Sequence, residues 1–112
     1  MTKFYKLVFN VPLSHADSVR SAIGHAGAGK VGNYSHCSFS VRGTGRFLPN
    51  NQAQPHIGQA GILESVDEEQ IQVDVLEADM KAVLSALRES HPYEEIGYEI
   101  YEMLNNSQLF KI

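Results

Sequence analysis

Five histidines in 112 residues make metal coordination the first chemistry to weigh. His36 and Cys37 look like a ligand pair. Neighbours on a strand point to opposite faces, however, so Cys37 is expected in the core and His36 on an open face. His15 and His25 fall near the two ends of a helical pattern and read as solvated, with His25 favourably placed against the helix dipole when protonated. His56 lies between Pro55 and Ile57, and His91 opens the run His91-Pro92-Tyr93-Glu94-Glu95. A histidine followed by two carboxylates offers nitrogen and oxygen ligands suited to a divalent ion, so His56, His91, Glu94 and Glu95 form the candidate metal set. The alternative is that His91 caps a helix, Tyr93 packs and the glutamates are solvated. Spacing alone favours that alternative.

Anion binding is the second chemistry. Gly43-Thr44-Gly45-Arg46 follows a strand pattern, and its glycines would let backbone N–H groups approach an anion that Arg46 could neutralise. It is neither a Walker loop nor a dinucleotide fingerprint, which needs a strand before it and a helix after it. Gly43, Gly45, Arg46, His56 and Tyr93 are therefore the candidate ligand-binding residues. No Ser/His/Asp order or cysteine–histidine pair builds a nucleophile, so no enzyme is expected from these residues.

These residues need elements to hold them. Tyr5, Leu7, Phe9 and Val11 alternate with Lys6 and Asn10 as a half-buried strand requires. Pro12 ends that strand, and Ser14 with Asp17 resembles a capping box opening a helix with Ala16, Val19, Ala22, Ile23 and Ala26 on one face. Gly27-Ala28-Gly29 stops it. A second strand is expected over about Tyr34–Arg42, with Cys37, Phe39 and Val41 inward. Gly43–Gly61 follows with four glycines, two prolines and no period, and loops of this length are usually functional or disordered. Then come Ile62–Val66, a turn at Asp67-Glu68, and a strand through Ile71, Val73 and Val75. A second helix from about Asp79 ends before Pro92, and a last strand covers about Ile96–Met103.

The order β-α-β, loop, β-α-β predicts an α+β, ferredoxin-like βαββαβ sandwich: an antiparallel sheet with two helices on one face and a long loop after the second strand. The other face would carry Phe4, Val8, Tyr101 and Met103 uncovered, and a second copy of the chain is the economical cover.

Composition agrees. With 43% hydrophobic and 20% charged residues the chain is globular, and its size fits one domain, 1–112. A net charge of −4 argues against nucleic acid, no apolar run could cross a bilayer, and no signal-peptide core opens the chain, so a cytoplasmic location is expected. Basic residues gather before Ala60 (Lys3, Lys6, Arg20, Lys30, Arg42, Arg46, against Asp17 alone) and acidic ones after it. Either strands of the two halves interleave and average the charge, or a basic loop of one subunit meets an acidic edge of the next.

Several short blocks recur together in one family. Gly27-Ala28-Gly29, Gly32-Asn33-Tyr34, Cys37-Ser38-Phe39, Gly43-Thr44-Gly45-Arg46-Phe47-Leu48-Pro49, Pro55-His56-Ile57-Gly58 and His91-Pro92-Tyr93-Glu94-Glu95 resemble, in this order, the inserted domain of the YqfO-type, NIF-three-like proteins. The resemblance spans about Phe4 to Met103 and implies a PII- and CutA-like fold, hence a homotrimer. It further implies that the two-metal site of the larger proteins lies in flanking domains outside these 112 residues, leaving a free-standing module. In PII-like proteins small ligands bind in clefts between subunits beneath a loop placed as Gly43–Gly61 is here. The leading expectation is a non-enzymatic homotrimer binding a small ligand or a partner protein through that loop. A divalent-metal protein and a purely structural assembly module are the alternatives.

Overall fold

The computed structural model describes residues 3–104. Four strands and two helices follow in order: β1 (Phe4–Pro12), α1 (Leu13–His25), β2 (Phe39–Phe47), β3 (Glu64–Leu76), α2 (Met80–Ser90) and β4 (Tyr98–Met103), with a short 3-10 turn at Glu77–Asp79. The sheet order is β2-β3-β1-β4, antiparallel throughout. Each helix carries the chain past a central strand to an edge one, which is the ferredoxin-like arrangement expected.

The core lies between the sheet and the helices. Leu7, Phe9 and Val11 of β1 and Ile71, Val73 and Val75 of β3 meet Ala16, Val19 and Ile23 of α1 and Val83 and Leu87 of α2. The period of two in the strands and the three-to-four spacing in the helices thus converge on one layer. Ion pairs join the basic first half to the acidic second half: Arg20 to Glu69 at 2.8 Å, Lys6 to Asp74 at 2.7 Å and Lys30 to Asp79 at 3.1 Å. These three pairs bring charges of the two halves together within one chain. The Glu69 bond is the leading reason the Arg20 guanidinium is held above its ordinary pKa.

Four expectations need correction. The second strand starts at Phe39, not Tyr34, and continues through Gly43-Thr44-Gly45-Arg46-Phe47; the connection is 48–63 rather than Gly43–Gly61. Asp67-Glu68 is not a turn but the middle of a strand running from Glu64 to Leu76. These errors share a cause. Gly43 pairs with Glu68 and Thr44 with Asp67, and main-chain ladders need no apolar side chains to form. Beyond the Pro12–Glu68 pair, where β1 ends, β2 and β3 continue as a two-stranded ribbon.

The inward face of β2 is also the opposite of the expected one. Directly paired residues share a face, and Phe39 pairs with Gln72, itself opposite Val8, whereas Ser40 pairs with the buried Ile71. Phe39 and Val41 thus join Phe4, Val8, Tyr101 and Met103 on the helix-free face. Ser40 faces the helices and accepts a hydrogen bond from Arg20. Cys37 and His36 precede the strand, His36 with a positive φ of 59°, and Cys37 lies outside the core cluster.

The capping box is absent as well. Pro12 precedes the first helical turn without a side-chain cap, and Asp17 pairs with Arg20. The helix stop is as expected: the Ala28 N–H bonds Ile23 O at 2.9 Å. The Gly29 N–H then bonds Asp74 O at 2.7 Å, and the Cys37 N–H bonds Gly29 O at 3.0 Å. Gly29 sits at φ +86°, and a Cβ there would collide with the Cys37 backbone. Gly29→Ala should therefore cost more than about 1 kcal/mol, and Leu7→Ala about 2–5 kcal/mol, in urea titrations. A Gly29→Ala midpoint equal to wild type would show that this anchor is dispensable.

Candidate functional site

The helix–strand junction is built around His91. Pro92 forbids helical geometry at the preceding residue, so α2 ends at Ser90 and His91 is extended (ψ 134°). Its ring is buried against Phe9. Nε2 lies 2.7 Å from the Asn10 carbonyl oxygen, and the Tyr93 N–H lies 3.2 Å from Nδ1. An oxygen acceptor on one side and an N–H donor on the other assign the neutral tautomer with its proton on Nε2. Burial lowers the His91 pKa below 6.5, consistent with that neutral form.

Tyr93 is the next link. Its ring centroid is 5.0 Å from His91, 5.9 Å from Phe47 and 6.4 Å from His56. Its hydroxyl donates to Glu68 Oε2 at 2.8 Å. Burial, then that bond, pushes the phenol well above its ordinary range, so Tyr93 is a fixed donor rather than a base. Glu68 is only 6% exposed. Its Oε1 lies where a side chain on residue 45 would have to go, so Gly45 is required for the carboxylate to sit under β2.

The connection 48–63 folds over this junction. The Gln54 N–H donates to Glu94 Oε2 at 2.6 Å, and His56 meets His15 of α1 edge to face at 5.4 Å. Ribbon, connection and junction enclose a cleft of about 820 Å³, within the size range of small-molecule sites. Gly45, Arg46, His56, Tyr93, Glu94 and Glu95 line it. Gly43 instead lines a smaller cleft of about 200 Å³ on the helix-free side, and His91 lines neither, standing beneath Tyr93.

Of the candidate metal set, His56, Glu94 and Glu95 reach the cleft, while both nitrogens of His91 are engaged by main chain. Among the described residues no group of three His, Cys, Asp or Glu is placed to hold an ion. Glu68, Phe47 and Asn10 line the cleft without having stood out in the sequence. The one sequence cue was the alternation of β3 carried back through Glu68, which the expected turn hid.

No family model matches the chain. The GTP cyclohydrolase 1 type 2 homolog of Halalkalibacterium halodurans is 47% identical over 104 residues, covering 93% of this chain and 28% of that protein. The Bacillus subtilis homolog is 47% identical over 96 residues, 86% of this chain and 26% of its own length. A NIF3-related protein of Bacillus cereus superposes with a TM-score of 0.80 at 41% identity, over 93% of this chain and 26% of that one. This chain is a relative of that segment of the NIF3-like proteins. It spans about a quarter of the length of the relatives it matches.

CutA1 from Shewanella sp. SIB1 superposes with a TM-score of 0.67 at 13% identity, covering 92% of this chain and 83% of that protein, and shows the shared fold. This chain thus has a CutA-like, ferredoxin-like sandwich fold. Among the described residues no helix is long and apolar enough to cross a membrane.

The His91 environment sets a pH dependence. Because the folded state depresses this pKa below 6.5, the unfolded chain takes the proton first as pH falls. The stabilisation is complete above that value and is lost progressively as pH drops through the lowered folded value. Urea midpoints should fall between about pH 7.5 and about pH 5, with a smaller fall in His91→Gln. An equal fall in both proteins would place the titrating group elsewhere.

Proposed function

We propose that this NIF3-like segment is a binding module whose ligand occupies the cleft between the β2–β3 ribbon, the connection 48–63 and the Tyr93–Gly97 junction. One observation carries the reading: residues far apart in sequence converge on a single concavity with rigid aromatic walls and separated charges. Arg46 makes no ion pair with a described residue and supplies the positive charge for an anionic group. His56 and Glu94 set the position of the connection. Ligand binding is preferred to metal coordination because His91 spends both ring nitrogens on the main chain.

The module assembles as a homotrimer in this reading, and the helix-free sheet face supports it. Phe39 is 65% exposed, Tyr101 56% and Val41 44%, on a face shared by register with Phe4 and Val8. A patch of this kind needs cover. The relatives' name, GTP cyclohydrolase 1 type 2 homolog, attaches to proteins of which this chain spans only about a quarter. Binding, rather than turnover, is the role proposed for this quarter.

Native mass spectrometry of the full chain, purified without chelator, tests both parts. Wild type should appear as a trimer carrying the added mass of a small organic molecule. Arg46→Glu should lose that mass while keeping the wild-type urea midpoint. An unchanged bound mass in Arg46→Glu would overturn the role of Arg46, an added mass equal to a metal ion would overturn the organic-ligand reading, and a bare monomer would overturn the assembly.

A further inference from the structure

Glu68 is a mostly buried carboxylate with one oxygen bonded inside the protein and the other at the surface of the clefts. Oε2 accepts the Tyr93 hydroxyl; Oε1 lies beside Gly45 and receives no hydrogen bond from a described residue. A carboxylate oxygen that faces a cleft and has no protein donor is free to accept hydrogen bonds from a ligand. Glu68 also lines both clefts, the larger beside Tyr93 and the smaller beside Gln70, with Gly45 common to the two. No side chain at residue 45 blocks the way to Oε1.

Two further features surround it. Glu94 and Glu95 stand on the same large cleft, so its three carboxylates outnumber its one arginine. Phe47 and Tyr93 meet edge to face at 5.9 Å on its wall. Aromatic rings attract cations through their quadrupole, most strongly where water is excluded. Carboxylates beside aromatic rings select an organic cation, whose N–H bonds end on oxygen while its carbons contact the rings. We infer that the cleft takes a small molecule bearing an ammonium or guanidinium group, held on Glu68 Oε1 beside Gly45, with any acid group of the same molecule directed to Arg46. This deepens the ligand-binding reading above and rests on it.

Two probes separate the two claims. Agmatine carries guanidinium and ammonium groups and no acid; glutarate carries acids and no cation. Each is titrated into isotope-labelled full-length chain, following the amide resonances of Gly45, Tyr93 and Gly97. Agmatine should shift all three in wild type. In Glu68→Gln, where the side-chain carbonyl can still accept from Tyr93 but an NH2 donor replaces Oε1, agmatine binding should weaken by at least about tenfold.

Equal agmatine affinity in Glu68→Gln overturns the inference. Glutarate shifts without agmatine shifts overturn it too while leaving the cleft as a ligand site, and no shifts with either probe overturn both readings. Should Glu68→Gln fail to fold, Gly45→Ala keeps the charge while its Cβ pushes Oε1 out of its place beside residue 45. Agmatine binding at wild-type strength in that variant would equally overturn the inference.

Discussion

The buried Glu68 carboxylate is the constraint around which this end of the molecule is arranged. It sits on β3 opposite Pro12, the last residue of β1, where the four-stranded sheet narrows to a ribbon. A carboxylate 6% exposed must be compensated, and the Tyr93 hydroxyl does so. Tyr93 is in turn fixed through its N–H to His91, and His91 through Nε2 to the Asn10 carbonyl on β1. The circuit runs from β1 through the α2–β4 junction to β3, and Gly45 lets β2 lie against its last member. Hydrogen bonds to charged groups stabilise by about 1.5–3 kcal/mol, and a severed one leaves the buried oxygen without compensation. The circuit therefore stands or falls as a unit.

A rigid floor follows from that closure. Phe9, His91, Tyr93 and Phe47 form a run of ring contacts between the core and the ribbon, so the cleft wall is continuous with the hydrophobic core. The roof is held differently. The connection 48–63 is tied by the Gln54–Glu94 bond and the His56–His15 contact, neither part of the core cluster. Floor and roof thus differ in what it takes to move them.

The hydrophobic pattern made the architecture legible: Leu7, Phe9 and Val11 alternate, and Val83 and Leu87 fall one helical turn apart, because burial in one layer imposes those periods. Alternation says which residues share a face but not which face is covered, so Phe39 and Val41 were assigned to the core when register placed them outside it. Nor does apolar periodicity report main-chain pairing. Gly43-Thr44-Gly45 looks like loop because it has no side chains to bury, yet the ladder across to Val66–Glu68 makes it strand. The residues of the cleft were largely visible by type, including Arg46, His56, Tyr93, Glu94 and Glu95. Glu68 was not, since a carboxylate beside an aspartate reads as a solvated turn, and only the fold reveals that tyrosine and glycine close over it.

Closure within one chain also bears on why such a module can be a quarter of a larger protein. The floor comes from β1, β3 and the α2–β4 junction, one wall from the β2–β3 ribbon, and the roof from the connection between them. The residues that line the cleft all fall between Asn10 and Gly97. The Glu68 circuit needs no atom from outside that range, and the core beneath it comes from β1, β3 and the two helices. A sheet face left bare of helices, by contrast, is complete only when something else covers it. The two surfaces therefore differ in kind: the cleft is formed entirely by described residues of one chain, whereas none of them covers the helix-free face.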